Sequence, residues 1–177
     1  MYYIKNFLLY SLLGFVMEST LFKIVGSTKH SGIFFGPMTA VYGVGIVSIL
    51  LLNKYLFKKM HCNKSIIFIV EFIILTIVLS LIELIGGNVL NLLFDIDMWN
   101  YSKDSMNFGK YICLRNSIIW GIMGVLYIHI FKEFTDKLLK KITRKETYFF
   151  LIIFSIDLVL TLVLKLWKIN NLIAEKT

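Results

Sequence analysis

Residues 65–94 read SIIFIVEFIILTIVLSLIELIGGNVLNLLF, and this stretch decides the class of fold. Glu71 and Glu83 are the only ionisable side chains within it. A helix of about 20 apolar residues is long enough to cross a bilayer, so this longer stretch predicts a transmembrane helix with length to spare for tilt or projection.

Four further apolar stretches flank this one, over about residues 4–24, 39–57, 111–131 and 148–167. Hydrophobic residues make up 58% of the chain and charged residues 17%, against about 45–50% and about 25% in soluble domains. With a mean hydropathy of +0.77, this composition excludes a soluble globular fold. We therefore predict an all-α fold, a polytopic transmembrane helical bundle of about five spans that forms one integral membrane domain over residues 1–177.

Two of the connecting segments have a character of their own. Residues 26–36, GSTKHSGIFFG, are rich in glycine and serine and lead to Pro37, the single proline of the chain. This segment predicts a loop, and the sequence leaves open whether residues 26–38 re-enter the membrane.

The second segment, about residues 132–147, predicts a cationic helix lying on the membrane surface. Phe131, Phe134, Leu138 and Ile142 recur at intervals of three and four residues, and lysines surround them. This spacing places the apolar side chains on one helix face. An ordinary solvated linker is the alternative interpretation.

Lysine and arginine residues divide unevenly between the two sides that five spans define. Eleven of the 19 fall on the side of the N-terminus and seven on the opposite side. The positive-inside rule therefore places the N-terminus in the cytoplasm, and we expect the protein to lie in the plasma membrane. These residues lie between oily segments rather than along an arm or a groove, which argues against nucleic-acid binding.

The sequence contains no recognisable metal, cofactor or catalytic motif. Cys62 and Cys113 form no CxxC pair, and the three histidines are scattered, whereas a zinc site needs three or four converging ligands. No Ser-His-Asp or HExxH arrangement is present. We expect no cofactor, and a function in transport is favoured over an enzymatic one.

Ionised side chains within the spans are the strongest candidates for function, because a central Asp or Arg costs roughly 2.5–3.5 kcal/mol on insertion scales. At a rise of about 1.5 Å per residue, Glu18 lies about 21 Å and Glu83 about 27 Å from the N-terminal surface. Arg115 lies about 6 Å below the opposite surface. All three fall in the outer half of the membrane, where opposite charges at one depth can pair.

We therefore predict a polar cavity on the outer side, lined by Glu18, Glu83 and Arg115. The loop that contains Trp99 and Tyr101 would cover it. The alternative is that these charges form ion pairs whose role is to hold the helices together.

Three more residues complete the candidates for substrate or ion binding. Asn91 shares a face of the third predicted helix with Glu83, and Asn107 belongs to the polar loop 95–110. Asp157 lies near mid-membrane on the fifth span, which makes it a candidate proton or cation site.

Glu71 and His129 lie near the inner surface in the same topology. Glu71 is about 120° round the helix from Glu83 and is interpreted as an interfacial carboxylate that snorkels or pairs with a lysine such as Lys64. His129 lies near the inner end of the fourth span, where it could pair with lipid headgroups.

Glycine, aromatic and charged residues recur in two blocks over about residues 11–125. They are Gly14, Phe15, Glu18, Gly32, Gly36, Pro37, Tyr42, Gly43 and Gly45, then Glu83, Gly87, Trp99, Tyr101, Ser102, Asn107, Gly109, Ile112, Leu114, Arg115, Ser117, Trp120 and Gly121. This pattern resembles the bacterial family of putative ABC-transporter permeases (type IV). The resemblance implies a multi-pass membrane protein of a transport system more firmly than it implies a reaction.

The chain departs from the family pattern at three places. His30 and Ser31 stand where the family tends to show Asn-Arg, and Ala40 stands where a second proline is usual. Asn100 follows Trp99 where the family often has aspartate, which leaves the loop one carboxylate short.

Transport is the function that we favour from the sequence, by a small permease-like subunit that self-associates to make a pathway in the lipid bilayer. The chain has no GxxxxGK[ST] loop, so any ATP must be bound by a separate subunit, and the cationic helix 132–147 is where such a partner would act. One alternative is a membrane-embedded scaffold or regulatory partner that binds another membrane protein through its glycine stripes. Another is a small lipid-modifying membrane enzyme, in which two carboxylates share a proton and Arg115 holds a phosphate or carboxylate.

Overall fold

The computed structural model describes residues 1–26 and 31–174, with side chains as far as Trp167 and at Asn171. Five helices are long and apolar enough to cross a membrane: Tyr2–Ile24, Ala40–Lys59, Lys64–Phe94, Leu114–Lys141 and Arg144–Trp167. The predicted all-α bundle of about five spans is therefore confirmed.

In chain order the elements are α1 (Tyr2–Ile24), α2 (Ala40–Tyr55), a 3₁₀ turn (Phe57–Lys59), α3 (Lys64–Phe94), β1 (Asn107–Phe108), β2 (Ile112–Cys113), α4 (Leu114–Leu126), a π-helical turn (Tyr127–Phe131), α5 (Lys132–Lys141) and α6 (Arg144–Ala174). The long connections lie between α1 and α2 and between α3 and α4, and the others are short. The two strands pair antiparallel, with Phe108 opposite Ile112.

Glycine residues let neighbouring helices of the bundle approach one another closely. A Cβ atom on Gly124 of α4 would lie 3.1 Å from Leu75 of α3, and Gly121 lies against Phe72 and Thr76. Gly14 of α1 lies directly against the ring of Tyr42 in α2. Lipid tails are as apolar as leucine, so van der Waals contact of this kind, rather than exclusion of water, holds transmembrane helices together.

The chain returns along α1 before α2 begins. The backbone N–H of Thr39 donates to the carbonyl of Ser11, with the two atoms 2.9 Å apart. Ser11 precedes the end of α1 at Ile24 by 13 residues, which is about 20 Å of helix. Phe34 and Ser31 are buried on the way. Residues 31–39 therefore form a segment that re-enters the bundle, which we call the returning segment.

The loop between α3 and α4 is built as a compact cover. Tyr101 N donates to Lys110 O at 2.8 Å, and Leu114 N donates to Met106 O at 3.1 Å. The strand Ile112–Cys113 occupies residues predicted to open the fourth span, so α4 begins at Leu114. Strand pairing explains why the predicted start, residue 111, is three residues too early.

The predicted surface helix over about residues 132–147 has different bounds in the structure. The fourth span continues through the π-helical turn into α5, which ends at Lys141. Residues 144–147 instead form the first turn of α6, because Thr143 and Glu146 make a capping box: Thr143 N donates to Glu146 Oε2 at 2.7 Å and Glu146 N donates to Thr143 Oγ1 at 3.2 Å.

One face of α5 packs on the bundle and another is exposed. Thr135 and Leu139 are buried, whereas Phe134 and Leu138 of the predicted apolar stripe are exposed. An outward apolar stripe fits contact with lipid, and the position of α5 at a membrane surface stays a prediction.

Contacts between the start of α1 and residues 136–142 define one side of the bundle. Lys5 Nζ of α1 donates to the carbonyls of Leu139 at 3.1 Å and Ile142 at 2.5 Å. The Tyr2 hydroxyl donates to Asp136 at 2.7 Å. We call this the N-terminal side; the loop 95–113 lies at the other end of α3, on the opposite side.

Candidate functional site

Glu83 lies on the buried face of α3, with 5% of its surface exposed. The Tyr101 hydroxyl donates to its Oε1 at 2.7 Å, and Trp120 Nε1 donates to its Oε2 at 3.2 Å. Both carboxylate oxygens are therefore met by neutral donors, one from the covering loop and one from α4.

Glu18 is half-buried on α1 and faces the returning segment. The Ser31 hydroxyl donates to Glu18 Oε2 at 2.6 Å and lies 2.9 Å from the hydroxyl of Thr39. This second carboxylate is thus also met by a neutral hydroxyl, on a segment that folds back beside it.

Tyr42 of α2 lies between Gly14 of α1 and Trp120 of α4, the residue that donates to Glu83. The Tyr42 ring packs edge to face on Trp120, with ring centroids 5.6 Å apart, and Gly14 leaves space for it on α1. We call Glu18, Ser31, Tyr42, Glu83, Tyr101 and Trp120 the carboxylate cluster.

Arg115 does not join this cluster, so its predicted pairing with the two glutamates is wrong. Its side chain is 71% exposed and lies 3.4 Å from Asp104. The reason is its position on α4, where Ser117 is buried and bonded to Ser80 of α3. Arg115 precedes Ser117 by two residues, which turns it about 200° round the helix and away from α3.

The covering loop is held by a second carboxylate outside the spans. Asp97 accepts hydrogen bonds from Asn91 at 3.1 Å and Tyr111 at 2.6 Å, and it forms an ion pair with Lys110. The Lys110 ammonium and the Tyr111 hydroxyl hold the pKa of Asp97 below its ordinary value. Asn91 therefore anchors the loop and does not reach the carboxylate cluster.

Tyr101 is the residue by which this loop touches Glu83. Burial, followed by the negative charge of Glu83, raises the pKa of Tyr101 above its ordinary value. Its hydroxyl therefore remains a protonated donor at neutral pH. Tyr101 therefore brings this loop into contact with Glu83, and the polar cavity that the loop would cover stays a prediction.

Trp99 and Asn107 take different places in the same loop. The Trp99 ring packs beside Gly86 of α3 and edge to face on Tyr111, with centroids 6.4 Å apart. Its Nε1 is buried without a partner among the described residues. Asn107 is exposed on β1 and donates to the carbonyl of Gly109 at 3.2 Å, so it lies away from the cluster.

Asp157 holds the returning segment in place. The backbone N–H groups of Phe35 and Gly36 donate to its two carboxylate oxygens at 3.0 and 2.8 Å, and Thr161 donates to it at 3.2 Å. A Cβ on Gly36 would lie 2.8 Å from the carboxylate, so this approach favours glycine. Irregular backbone within a membrane needs such internal partners, and Asp157 provides them.

Glu71 and His129 form a pair that was not predicted from the sequence. Glu71 is 3% exposed, and its Oε2 lies 2.6 Å from His129 Nε2 on the π-helical turn. The interpretation of Glu71 as a snorkelling carboxylate or a partner of Lys64 is wrong. Both residues were placed near the inner surface, so the depth comparison applied to Glu18 and Glu83 would have predicted this pair.

Trp120 and Tyr42 were also missed as parts of the site, although both belong to the resembling blocks. Trp120 follows the buried Ser117 by three residues and therefore shares the face of α4 that meets α3. Tyr42 carried no such signal, because its role depends on the returning segment placing the start of α2 beside Gly14.

The three departures from the family pattern have local outcomes. Asn100 accepts hydrogen bonds from the N–H and hydroxyl of Ser102 at 3.0 and 2.6 Å, a turn that aspartate makes equally well. Ala40 is the first residue of α2, where proline is also tolerated. Ser31 meets Glu18 at the place where the family tends to have arginine, and His30 lies outside the described residues.

Neutral donors, rather than cations, meet Glu18 and Glu83 among the described side chains. Among the side chains that the structure describes, those of residues 1–26, 31–167 and 171, no lysine, arginine or histidine lies within 4.0 Å of the carboxylates of Glu18 or Glu83. In the same part of the chain, no three His, Cys, Asp or Glu side chains converge as ligands of a metal ion.

Comparison with known proteins identifies a family. A family model described as Putative ABC-transporter type IV matches residues 5–164. No curated protein and no solved structure matches the chain. The matched region spans all five apolar helices and every member of the carboxylate cluster. The chain therefore belongs to the Putative ABC-transporter type IV family.

Proposed function

We propose that this protein is the membrane-embedded subunit of a transport system, in which Glu18 and Glu83 bind a proton or a cationic solute beside Tyr42. The observation that carries the proposal is that the half-buried Glu18 and the buried Glu83 are both met by neutral donors, Ser31 for the first and Tyr101 and Trp120 for the second.

Energetics support this assignment. A buried carboxylate without a compensating charge is expensive in a membrane, and such residues commonly mark ion or substrate pathways. If the acids only held helices together, pairing with a cation would be the economical arrangement. The described residues place Arg115 on Asp104 instead, which weighs against the ion-pair interpretation.

The returning segment gives a second line of support. Transporters often build their binding sites where a helix is interrupted near the middle of the membrane, with irregular backbone lining the site. Here the irregular backbone is residues 31–39, in the connection between α1 and α2, and Ser31 at its start contacts Glu18.

We infer that a separate ATP-binding protein supplies the energy, because the family is an ABC-transporter type and this chain has no phosphate-binding loop of its own. The exposed cationic face of α5, on the N-terminal side, is the surface that we propose for it. This requires the N-terminal side to be cytoplasmic, as the positive-inside rule predicts, and we infer that the membrane is the plasma membrane.

We further infer that two or more copies assemble, since five helices enclose little space for a pathway. The glycine stripe of α4 is used against α3 within the chain. It is therefore not free to bind another membrane protein, which weakens the scaffold alternative.

A carbodiimide test examines the binding site without knowing the substrate. Dicyclohexylcarbodiimide modifies protonated carboxyl groups in apolar surroundings, and mass spectrometry locates the modified residue. In the purified full chain we expect modification of Glu18 or Glu83, and protection by at least one member of a series of inorganic and amine cations. Glu83→Gln should weaken that protection at Glu18 about tenfold or more, which corresponds to the loss of about 1.4 kcal/mol of binding.

Glu71→Gln is the matched control, because it removes a buried carboxylate that already has His129 as its partner. It should leave the protection unchanged. The cation-binding proposal is wrong if neither Glu18 nor Glu83 is modified, or if no cation in the series slows the modification.

The subunit role needs its own test. A tagged full chain purified from its native membranes in mild detergent should bring down an ATPase, detected by ATP hydrolysis and by cross-linking of an azido-ATP probe. Lys137→Glu with Lys140→Glu should lower that recovery severalfold, since both lie on α5. Lys103→Glu on the opposite side is the control, and purification without any ATP-binding partner would contradict the role.

A further inference from the structure

A cleft of about 380 Å³ opens on the N-terminal side, away from the carboxylate cluster. Four elements surround it: α1, α2, the 3₁₀ turn and α5. Its lining residues are Tyr2, Tyr3, Leu50, Asn53, Lys54, Lys58, Lys132 and Asp136. Its volume falls within the range of roughly 300–1,000 Å³ that is usual for small-ligand sites.

The cleft has an excess of positive charge. It contains three lysines and one aspartate. Asp136 is already engaged, since it accepts from Lys132 at 2.5 Å and from the Tyr2 hydroxyl at 2.7 Å. In the part of the chain that the structure describes, neither Lys54 nor Lys58 has a carboxylate within 4.0 Å.

The position of the cleft along the helices indicates which ligand Lys54 and Lys58 can contact. It lies where α1 begins and α2 ends, so these side chains are at the end of the apolar spans. Tyr2 and Tyr3 stand at the same level, and tyrosine favours the membrane–water boundary. Phosphate groups of lipids lie at this boundary, and basic pockets between transmembrane helices bind such headgroups.

We propose that this cleft binds the phosphate of an anionic lipid headgroup in the leaflet on the N-terminal side. Lys54 and Lys58 are the charged ligands. Asn53, which is buried at the same wall, and the Tyr3 hydroxyl supply neutral donors. Leu50 forms the apolar wall beside which the glycerol end of the lipid lies.

Native mass spectrometry of the full chain tests the proposal. The chain is reconstituted in phosphatidylcholine nanodiscs with increasing phosphatidylglycerol, released in detergent, and examined for retained lipid. The parent should retain phosphatidylglycerol in preference to phosphatidylcholine. Lys54→Gln with Lys58→Gln should weaken that retention roughly thirtyfold, from about 1 kcal/mol per lysine.

Lys59→Gln with Lys64→Gln is the matched control, because these lysines lie on the same side and are exposed but do not line the cleft. It should change the retention less than about twofold, since bulk attraction to the surface is all that it alters. An equal loss in both double variants would overturn the site. All variants must melt like the parent in pure phosphatidylcholine.

Two further experiments test whether positive charge in the cleft drives binding and whether the phosphate belongs to a lipid or is free in solution. Asp136→Asn frees Lys132 and should tighten the retention of phosphatidylglycerol; weaker retention in this variant would overturn the proposal. Millimolar inorganic phosphate should neither raise the melting temperature of the parent nor displace the lipid. If phosphate does both while phosphatidylglycerol is not retained, the ligand is a free phosphate and the lipid proposal is wrong.

Discussion

Six acids on the helices of this protein divide into two groups by what meets them, whereas the loop acids Asp97 and Asp104 pair with Lys110 and Arg115. Towards the N-terminal side, Glu71 has His129, Asp136 has Lys132 and Glu133 has Lys137. In the other half of the bundle, Glu18 and Glu83 have hydroxyl and indole donors within the described residues. Asp157 has backbone N–H groups and a threonine hydroxyl.

This difference separates structural acids from candidate functional ones. An acid with a cation, or with two backbone donors that nothing else can satisfy, is explained by the fold. An acid that accepts neutral hydrogen bonds in a low-dielectric interior keeps an unbalanced charge, and a bound proton or cation would balance it. The four predictions below test this division, ordered by the expected change in stability.

Replacing Asp157 should produce the largest loss of stability. Asp157→Ala leaves the N–H groups of Phe35 and Gly36 without their acceptors, and hydrogen bonds to charged groups contribute about 1.5–3 kcal/mol each. We expect a loss of about 3 kcal/mol in unfolding free energy, with faster hydrogen exchange over residues 31–39. Ser155→Ala, whose hydroxyl bonds to its own helix, is the control, and equal melting of the two variants would remove the structural role.

Glu71→Gln should cost less. The substitution breaks the pair with His129. Glu71 is the buried member of this pair, whereas the His129 side chain is 47% exposed and can turn to solvent. We expect a loss of about 1–2 kcal/mol, below the 3–5 kcal/mol typical of fully buried pairs. The same substitution at Glu133, in a surface pair with Lys137, should cost under about 0.5 kcal/mol. A smaller effect at Glu71 than at Glu133 would contradict this ranking.

Glu83→Gln should change stability by less than about 1 kcal/mol in either direction, because glutamine loses one acceptor but also removes an unbalanced buried charge. Its effect should instead be on function, as loss of cation protection in the carbodiimide assay. Thermal melting in detergent measures the first quantity. A loss of stability as large as that of Asp157→Ala would move Glu83 into the structural group.

Acidification should have the smallest effect, confined to the covering loop. The pKa of Asp97 is lowered in the folded protein, so its contribution is complete above its ordinary value and is lost as the pH falls through the lowered value. Hydrogen exchange over residues 95–113 should therefore accelerate only once the pH falls below the ordinary pKa of an aspartate, about 4. Asp97→Asn should abolish this step, and Asp95→Asn, at a left-handed position that asparagine tolerates, should keep it.

Much of the fold could be predicted because it depends on local composition. The first and third spans, about 4–24 and 65–94, agree with α1 and α3 to within two residues. The fifth span was predicted to begin at 148, although Thr143 and Glu146 spell a capping box that places its start at Arg144. That signal was present in the sequence and outweighs the lysines and arginine around it.

The site was harder to predict, since its members meet through the fold. Depth along the helices selected Glu18 and Glu83, and their role in binding stays a prediction. Depth also selected Arg115 wrongly, because an agreement in depth says nothing about helix face. The partners of Asp157 could not be predicted, because they are backbone N–H groups of the returning segment. Every residue except proline has such a group, so the sequence does not mark the ones that bind Asp157.

The bond from the returning segment to Asp157 also constrains how the protein is made. The backbone N–H groups of Phe35 and Gly36 donate to Asp157, which lies 122 and 121 residues later in the chain. During synthesis, therefore, these two amides lack their final partner until α6 has left the ribosome and joined the other helices. A chain stopped before Asp157 would carry all the preceding spans and still leave those amides open, so the last helix completes the geometry of the first loop.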